Sequence, residues 1–144
     1  MPRLDAERIA LWRQFCQVSA ALQRALDLEL SERHELSLVW FDALSVIRAA
    51  GGSMRVHQLC EELGEVPSSL SRRLDRMEDA ELVTRHHTPL PDDRRAVSVT
   101  LTTEGRGVWR DANITYRRLV QEHFARRLTE TDLGALQRIF GKLA

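Results

Sequence analysis

A chain of 144 residues has room for one compact domain with a real hydrophobic core. Its 43% hydrophobic and 29% charged residues are an ordinary globular mixture, which excludes an extended disordered polypeptide. The 21 basic and 21 acidic side chains cancel, so bulk charge does not draw the chain to nucleic acid or to a membrane surface.

Charge interrupts every apolar run well before the ~20 residues that a membrane span needs. The opening MPRLDAERIALW lacks the continuous apolar core of a signal peptide, so the chain is expected to stay where it is made, in the cytoplasm. Cys16 and Cys60 stand far apart with no CxxC spacing, which suggests neither a zinc ribbon nor a disulfide framework.

In chain order, the first ~30 residues read as one long helix, with Leu11, Phe15, Val18, Leu22 and Leu26 recurring at spacings of three and four. Ile9, Trp12 and Cys16 widen that stripe. A second helix is predicted over 37–50, ended by Gly51 and Gly52. A short extended piece, 53–55, leads into Val56, Leu59, Cys60 and Leu63. Gly64 then makes a turn, and a further helix opened by Pro67 carries Leu70, Leu74 and Met77. That layout is a helix-turn-helix. A strand starts over 82–85, the prolines and aspartates of 86–93 read as a hairpin loop, and a strand returns over 96–101 with Val97, Val99 and Leu101 inward. The hairpin makes the motif a winged helix.

Thr102 is placed to cap a long final arm, with helical spacing from Val108 to Leu128. Thr129 and Asp132 resemble a capping box for a last helix whose apolar face is Leu133, Leu136, Ile139, Phe140 and Leu143. The expected class is mainly α with a small β wing. Residues 1–36 and 102–144 form dimerisation helices around a winged helix-turn-helix over 37–101. The terminal helices carry more apolar surface than one small winged helix covers, and a second copy of the chain is the simplest cover.

At ~100° per residue, Leu70, Leu74 and Met77 share one arc of the second motif helix. Ser68, Ser69, Arg72 and Arg76 fall on the opposite arc, with Ser71 and Arg73 on the flanks. Small hydroxyls at the start and arginines along the face suit major-groove reading, since arginine chelates a guanine edge and serine approaches closely. An ordinary solvated face has the same pattern. Residues 53–102 hold seven arginines against nine carboxylates, so DNA binding requires charge segregated onto one face. At the wing tip, Asp92-Asp93-Arg94-Arg95 places an aspartate two residues before an arginine. A charge-assisted bond from Asp93 would hold the Arg95 guanidinium extended toward a minor groove.

The stretch SSLSRRLDRMEDAELVTR, followed by DRRAVSVTLTTEG, resembles the multiple antibiotic resistance regulator (MarR) family. Asp93, Arg95, Leu101, Thr102, Glu104 and Gly105 match its wing pattern and the start of its following helix. The resemblance implies an interlocked two-fold dimer that binds double-stranded DNA as a repressor and is released by a small-molecule effector. It implies recognition-helix contacts from Ser68, Ser69, Ser71, Arg72, Arg73 and Arg76, and a wing built on Asp93, Arg94 and Arg95. The chain departs from the family pattern at two places. Glu65 and Val66 stand where an apolar residue and a serine cap are usual, and Arg73 stands where an apolar residue is common.

In that family, effectors bind between the dimer helices and the winged helix. Trp12, Phe15, Cys16 and Ser19 on the first helix, with His34, Trp40 and Phe41 near the second, are the candidates to line such a pocket. The family's peroxide-sensing branch has its reactive cysteine early in the first helix and activates it with tyrosines. This chain has only Tyr116, so Cys16 is expected to be buried and inert, and Cys60 to be structural. A thiol sensor using Cys16 stays open beside this reading, as does a winged helix used only for protein contacts. No histidine pair has ligand spacing, since His86 and His87 on a strand point oppositely, so no metal or other cofactor is expected. GxSxG, P-loop and GxGxxG motifs are absent, so no catalytic residue is assigned and no enzyme is expected.

Overall fold

Every helix start but two has a side chain that accepts the free amides of the first turn. The computed structural model describes residues 5–87 and 89–144. Expectations for residues 1–4, and for Thr88 in the hairpin loop, lie outside the described residues. Helix α1 spans Ala6–His34, where the Asp5 carboxylate accepts from the amides of Glu7 and Arg8. Helix α2 spans Leu38–Ala49 under a Ser37 cap, and the Gly52 amide closes it by donating to the Ile47 carbonyl. Gly51 and Gly52 hold φ values of 96° and 98°, the left-handed region that a side chain disfavours.

Strand β1 is Ser53–Arg55, and helices α3 (Val56–Leu63) and α4 (Pro67–Asp79) follow it around Gly64, whose φ is 64°. These two are the helices without a side-chain cap. Strands β2 (Val83–His87) and β3 (Val97–Leu101) form the wing. Helix α5 is Thr103–His123, a 3₁₀ turn covers Ala125–Arg127, and α6 is Glu130–Leu143 behind the capping box of Thr129 and Asp132.

Three details differ from the sequence expectation. The hairpin is part of a three-stranded antiparallel sheet in the order β1-β3-β2, because β3 has a second free edge that β1 fills, with Met54 opposite Val99. His86 and His87, counted with the loop by composition, belong to the strand on which their opposite orientations rest, and lie opposite Ser98 and Val97. The last arm is also not one helix to Leu128. It breaks after His123, and the 3₁₀ turn reorients the chain before α6.

The core lies where α2, α3, α4, the sheet and α5 converge, on fully buried Leu44, Ile47, Leu59, Leu70, Leu74, Met77, Val83, Val99 and Leu119. The wing base is tied to α5 at close quarters. Thr102 Oγ1 accepts from the Gly105 amide at 2.9 Å and donates to the Glu81 carbonyl at 2.6 Å. A Cβ at Gly105 would collide with the Leu82 carbonyl, so only glycine lets the helix approach this closely. The terminal helices are different. Helix α1 buries only Leu26 and Leu30, α6 buries nothing fully, and Trp12, Phe15 and Leu143 are 65%, 52% and 76% exposed.

Candidate nucleic-acid interface

Helix α4 is amphipathic as its spacing predicts. Leu70, Leu74 and Met77 are buried against the core, and Ser68, Ser69, Ser71, Arg72 and Arg76 are exposed on the opposite side. Arg72 and Arg76 make no ion pair among the described residues, so both guanidiniums are available to an external acceptor. Pro67 occupies the first turn, and Val66 before it offers no capping oxygen. Pro67 has no amide hydrogen and the Ser69 amide donates to the Val66 carbonyl at 3.1 Å, which leaves the Ser68 amide as the unpaired donor of this first turn among the described residues.

The carboxylates of α4 are handled by a residue that the sequence did not single out. Arg85, on β2, donates Nη2 to Asp75 and Nε to Glu78, the latter at 2.9 Å. The Asp75 hydrogen bond and that to Glu78 hold the Arg85 guanidinium above its ordinary range, against the opposing effect of burial. Arg85 thus engages two of the three carboxylates of α4 and offsets part of their charge from the wing, while Asp79 makes no ion pair among the described residues. The only signal for this pairing was an arginine on an alternating strand.

Arg73 is placed differently from its neighbours. Its Nη1 donates to Glu65 Oε1 at 2.7 Å, and the two side chains are only 15% and 22% exposed. The residues that depart from the family pattern are thus paired with each other. Asp42 on α2 lies beside them. Burial raises its carboxyl above the ordinary value, the positive charge of Arg73 opposes that shift, and the negative charge of Glu65 adds to it.

At the wing, Asp93 accepts from the backbone amide of Arg95 at 2.9 Å and exchanges backbone hydrogen bonds with Leu90. No bond joins the Asp93 carboxylate to the Arg95 guanidinium. The expected charge-assisted aiming is replaced by a local turn that orders the backbone carrying Arg95. His87 Nε2 lies 2.7 Å from the Arg94 carbonyl and closes the same loop from its other arm. Arg94 and Arg95 are exposed, without carboxylate partners among the described residues. Between the wing and the helix-turn-helix lies a cavity of about 590 Å³, lined among others by Arg55, Val56, Cys60, Leu70, Arg95 and Val97.

The seven candidate effector residues do not meet within one protomer. Trp12 and Phe15 stack at 6.1 Å on the exposed half of α1, with Cys16 exposed beside them. The expectation that Cys16 is buried is therefore corrected for the single chain, because none of the described residues packs on this half of α1. Ser19 accepts from Gln23 Nε2 at 3.0 Å. His34 lies about 22 Å further along the helix from Ser19, at the 1.5 Å rise per residue, and its Nε2 contacts Thr115 Oγ1 at 2.7 Å. Trp40 is half-buried, whereas Phe41 is core, stacked on Trp109 and tilted against Tyr116. Cys60 is buried, as expected, and its thiol donates to the Glu65 carbonyl at 3.0 Å. Among the described residues, no cluster of three metal-ligating side chains occurs, and no helix is long and apolar enough to cross a membrane.

The MarR family model matches residues 34–96, which run from the end of α1 to the start of β3. The HTH-type transcriptional regulator PecS of Dickeya dadantii is 34% identical over 124 residues, covering 85% of this chain and 69% of PecS. The chain belongs to the MarR family. It is a winged-helix transcription regulator, not an enzyme. The crystal structure of AbsC, a MarR family regulator from Streptomyces coelicolor, superposes with a TM-score of 0.86 at 26% identity over 99% of this chain and 95% of AbsC. A mutant of MarR from E. coli complexed with operator DNA gives 0.81 at 29% identity, over 97% and 99%.

Proposed function

We propose that this MarR-family regulator acts in the cytoplasm as a homodimeric repressor on a pseudo-palindromic operator and is released by a small-molecule effector. Ser68, Ser69, Ser71, Arg72 and Arg76 read base edges and adjacent phosphates in the major groove. Arg94 and Arg95 reach the flanking backbone and minor groove. The observation that carries this reading is the segregation of charge. Two unpaired arginines stand on the exposed face of α4 and two on the wing, while Arg85 engages Asp75 and Glu78 between them. A net-neutral chain thus gathers on these two elements four guanidiniums that are unpaired among the described residues. The MarR structure with operator DNA is a relative that binds DNA through the same fold, which supports the assignment.

Dimerisation is favoured by the uncovered apolar residues at the two chain ends, including Leu11, Trp12, Phe15 and Val18 on α1 and Ile139, Phe140 and Leu143 on α6. Covering them gains on the order of 25 cal/mol per Å² removed from water. Cys16 lies on the same stripe and would be covered with it. Because the effector candidates are separated within one protomer, an effector cleft that uses them all needs α1 of the second copy to complete it.

Sedimentation at micromolar concentration tests the assembly, and selection from a randomised duplex pool tests the recognition. The expected results are a dimer and a recovered sequence with two-fold symmetry. A folded monomer, or a recovered sequence without symmetry, contradicts the reading.

A further inference from the structure

We infer that Arg73 is a positioning residue for DNA recognition: through Glu65 it fixes the helix-turn-helix turn and so sets where α4 enters the groove, without touching DNA. The inference rests on the reading of α4 as the recognition helix, and it removes one residue from the contact surface that the sequence pattern suggests.

Three bonds converge on Glu65 in the turn. Its amide donates to the Cys60 carbonyl at 3.2 Å, its own carbonyl accepts from the Cys60 thiol at 3.0 Å, and its carboxylate accepts from Arg73 at 2.7 Å. Two of these anchor the turn to α3, and the third reaches two helical turns down α4. The start of α4 has no other polar anchor, because Val66 stands at the cap position with no side-chain bond. The Glu65–Arg73 pair takes the place of that missing cap and holds α3 and α4 at one mutual angle. Ser68 and Ser69 sit next to the turn, so a shift there moves the residues that approach the bases.

The pair has little slack. Glu65 Oε2 is buried with no hydrogen-bond partner, so Arg73 is the one group bonded to this carboxylate among the described residues. Asp42 presses on the pair from α2 and would lose the nearest positive charge with Arg73. Removing one member of a buried ion pair leaves the other charge uncompensated, whereas replacing both with neutral groups removes the problem. Arg73 also lies on the flank of the arc that holds Leu70, Leu74 and Met77 and is half-buried there, whereas Arg72 and Arg76 are exposed.

A DNA contact and a positioning pair make opposite forecasts for Glu65→Gln. If Arg73 touched phosphate, neutralising Glu65 would free the guanidinium and tighten binding. As a positioning residue, Arg73 loses its anchor and discrimination falls. The probe is the sequence that the unmutated protein recovers from a randomised duplex pool, compared with a scrambled duplex over a range of salt concentrations. Glu65→Gln and Arg73→Gln are each expected to lower the ratio of specific to scrambled affinity about tenfold, the worth of one bidentate base contact. The slope of log affinity against log salt should stay unchanged, whereas a lost phosphate contact flattens it by about 0.9. The double variant Glu65→Gln/Arg73→Met is expected to discriminate about as well as either single variant, because all three lack the same bond, whereas a purely additive loss would be about a hundredfold. A merely structural role would weaken binding to both duplexes equally and leave the ratio intact.

Tightening by Glu65→Gln, a flattened slope for Arg73→Gln, a ratio left unchanged by the single or double variants, or a folded double variant whose loss is the product of the two single losses would each overturn the inference. Should a single variant fail to fold, the double variant decides by the same ratio. Failure of the unmutated protein to recover any duplex would instead overturn the DNA-binding reading, and this inference with it.

Discussion

Helices α1 and α4 carry the same kind of signal and are used differently. Both show apolar residues at spacings of three and four, yet α4 buries Leu70, Leu74 and Met77 completely while α1 leaves Leu11, Trp12, Phe15 and Val18 exposed over its first half. The difference lies in what packs alongside. Helix α4 is folded back on α3 and β2 by a short turn, so its apolar arc has a cover within the same chain. The first half of α1 runs beyond the body of the protomer. Periodicity therefore reports which face of a helix is apolar, and topology decides whether the cover comes from the same chain or from another copy.

Substitution separates these two uses, and the largest effect belongs to α4. Leu74→Ala is expected to cost about 2–5 kcal/mol of stability, because it opens a cavity among residues that cannot collapse around it. Denaturant unfolding of the whole protein measures this. Phe15→Asp on α1 is expected to leave the circular-dichroism spectrum of the protomer intact while shifting sedimentation toward monomer. If Phe15→Asp unfolded the chain, or left the sedimentation coefficient unchanged, α1 would not be an interface helix.

Next in size come the DNA contacts. Arg76→Ala is expected to lose about 1–3 kcal/mol and to relax discrimination at one position in each half-site. Arg95→Ala should weaken binding to every sequence and flatten the salt dependence. Asp93→Ala should follow Arg95→Ala, despite removing a negative charge near DNA, because Asp93 orders the backbone that carries Arg95. Tighter binding by Asp93→Ala would mean that repulsion outweighs this ordering.

Much of this surface was legible in the sequence. The arc of Leu70, Leu74 and Met77 fixes the orientation of α4, so the exposure of Ser68, Ser69, Arg72 and Arg76 follows from geometry alone. Capping by Thr102 and Thr129 was also readable, because each needs only a hydroxyl and a nearby amide, whereas Ser37 was read as part of its helix and is the cap before it. Pairings between elements were not. Arg73 sits on the flank of the apolar arc, and only the placement of the turn shows that Glu65 captures it. Arg85 reaches Asp75 and Glu78 across from β2, a meeting that no local pattern encodes. The pairing of β1 with β3 joins segments too distant in sequence for a three-residue strand to announce it. The effector residues were grouped by proximity along two helices, and the straight run of α1 separates them.

The smallest expected effect concerns Asp42. Burial raises its carboxyl above the ordinary 3.8, so folding favours the protonated form. Its contribution to stability is present below 3.8 and is lost as pH rises through the raised value in the fold. Asp42→Asn should therefore raise stability slightly at neutral pH and flatten the pH dependence just above the ordinary carboxylate range. A variant less stable at neutral pH would show that attraction to Arg73 outweighs desolvation.

The central claim is that α4 reads DNA while α1 joins two copies, so that recognition is two-fold. Binding to duplexes that carry two copies of the recovered half-site at varied spacing tests it most directly. The account expects two chains per duplex, with tightest binding when the half-site centres lie about one helical turn apart and a steep loss when one is moved half a turn around the helix. One chain per duplex, or affinity indifferent to spacing, would contradict it.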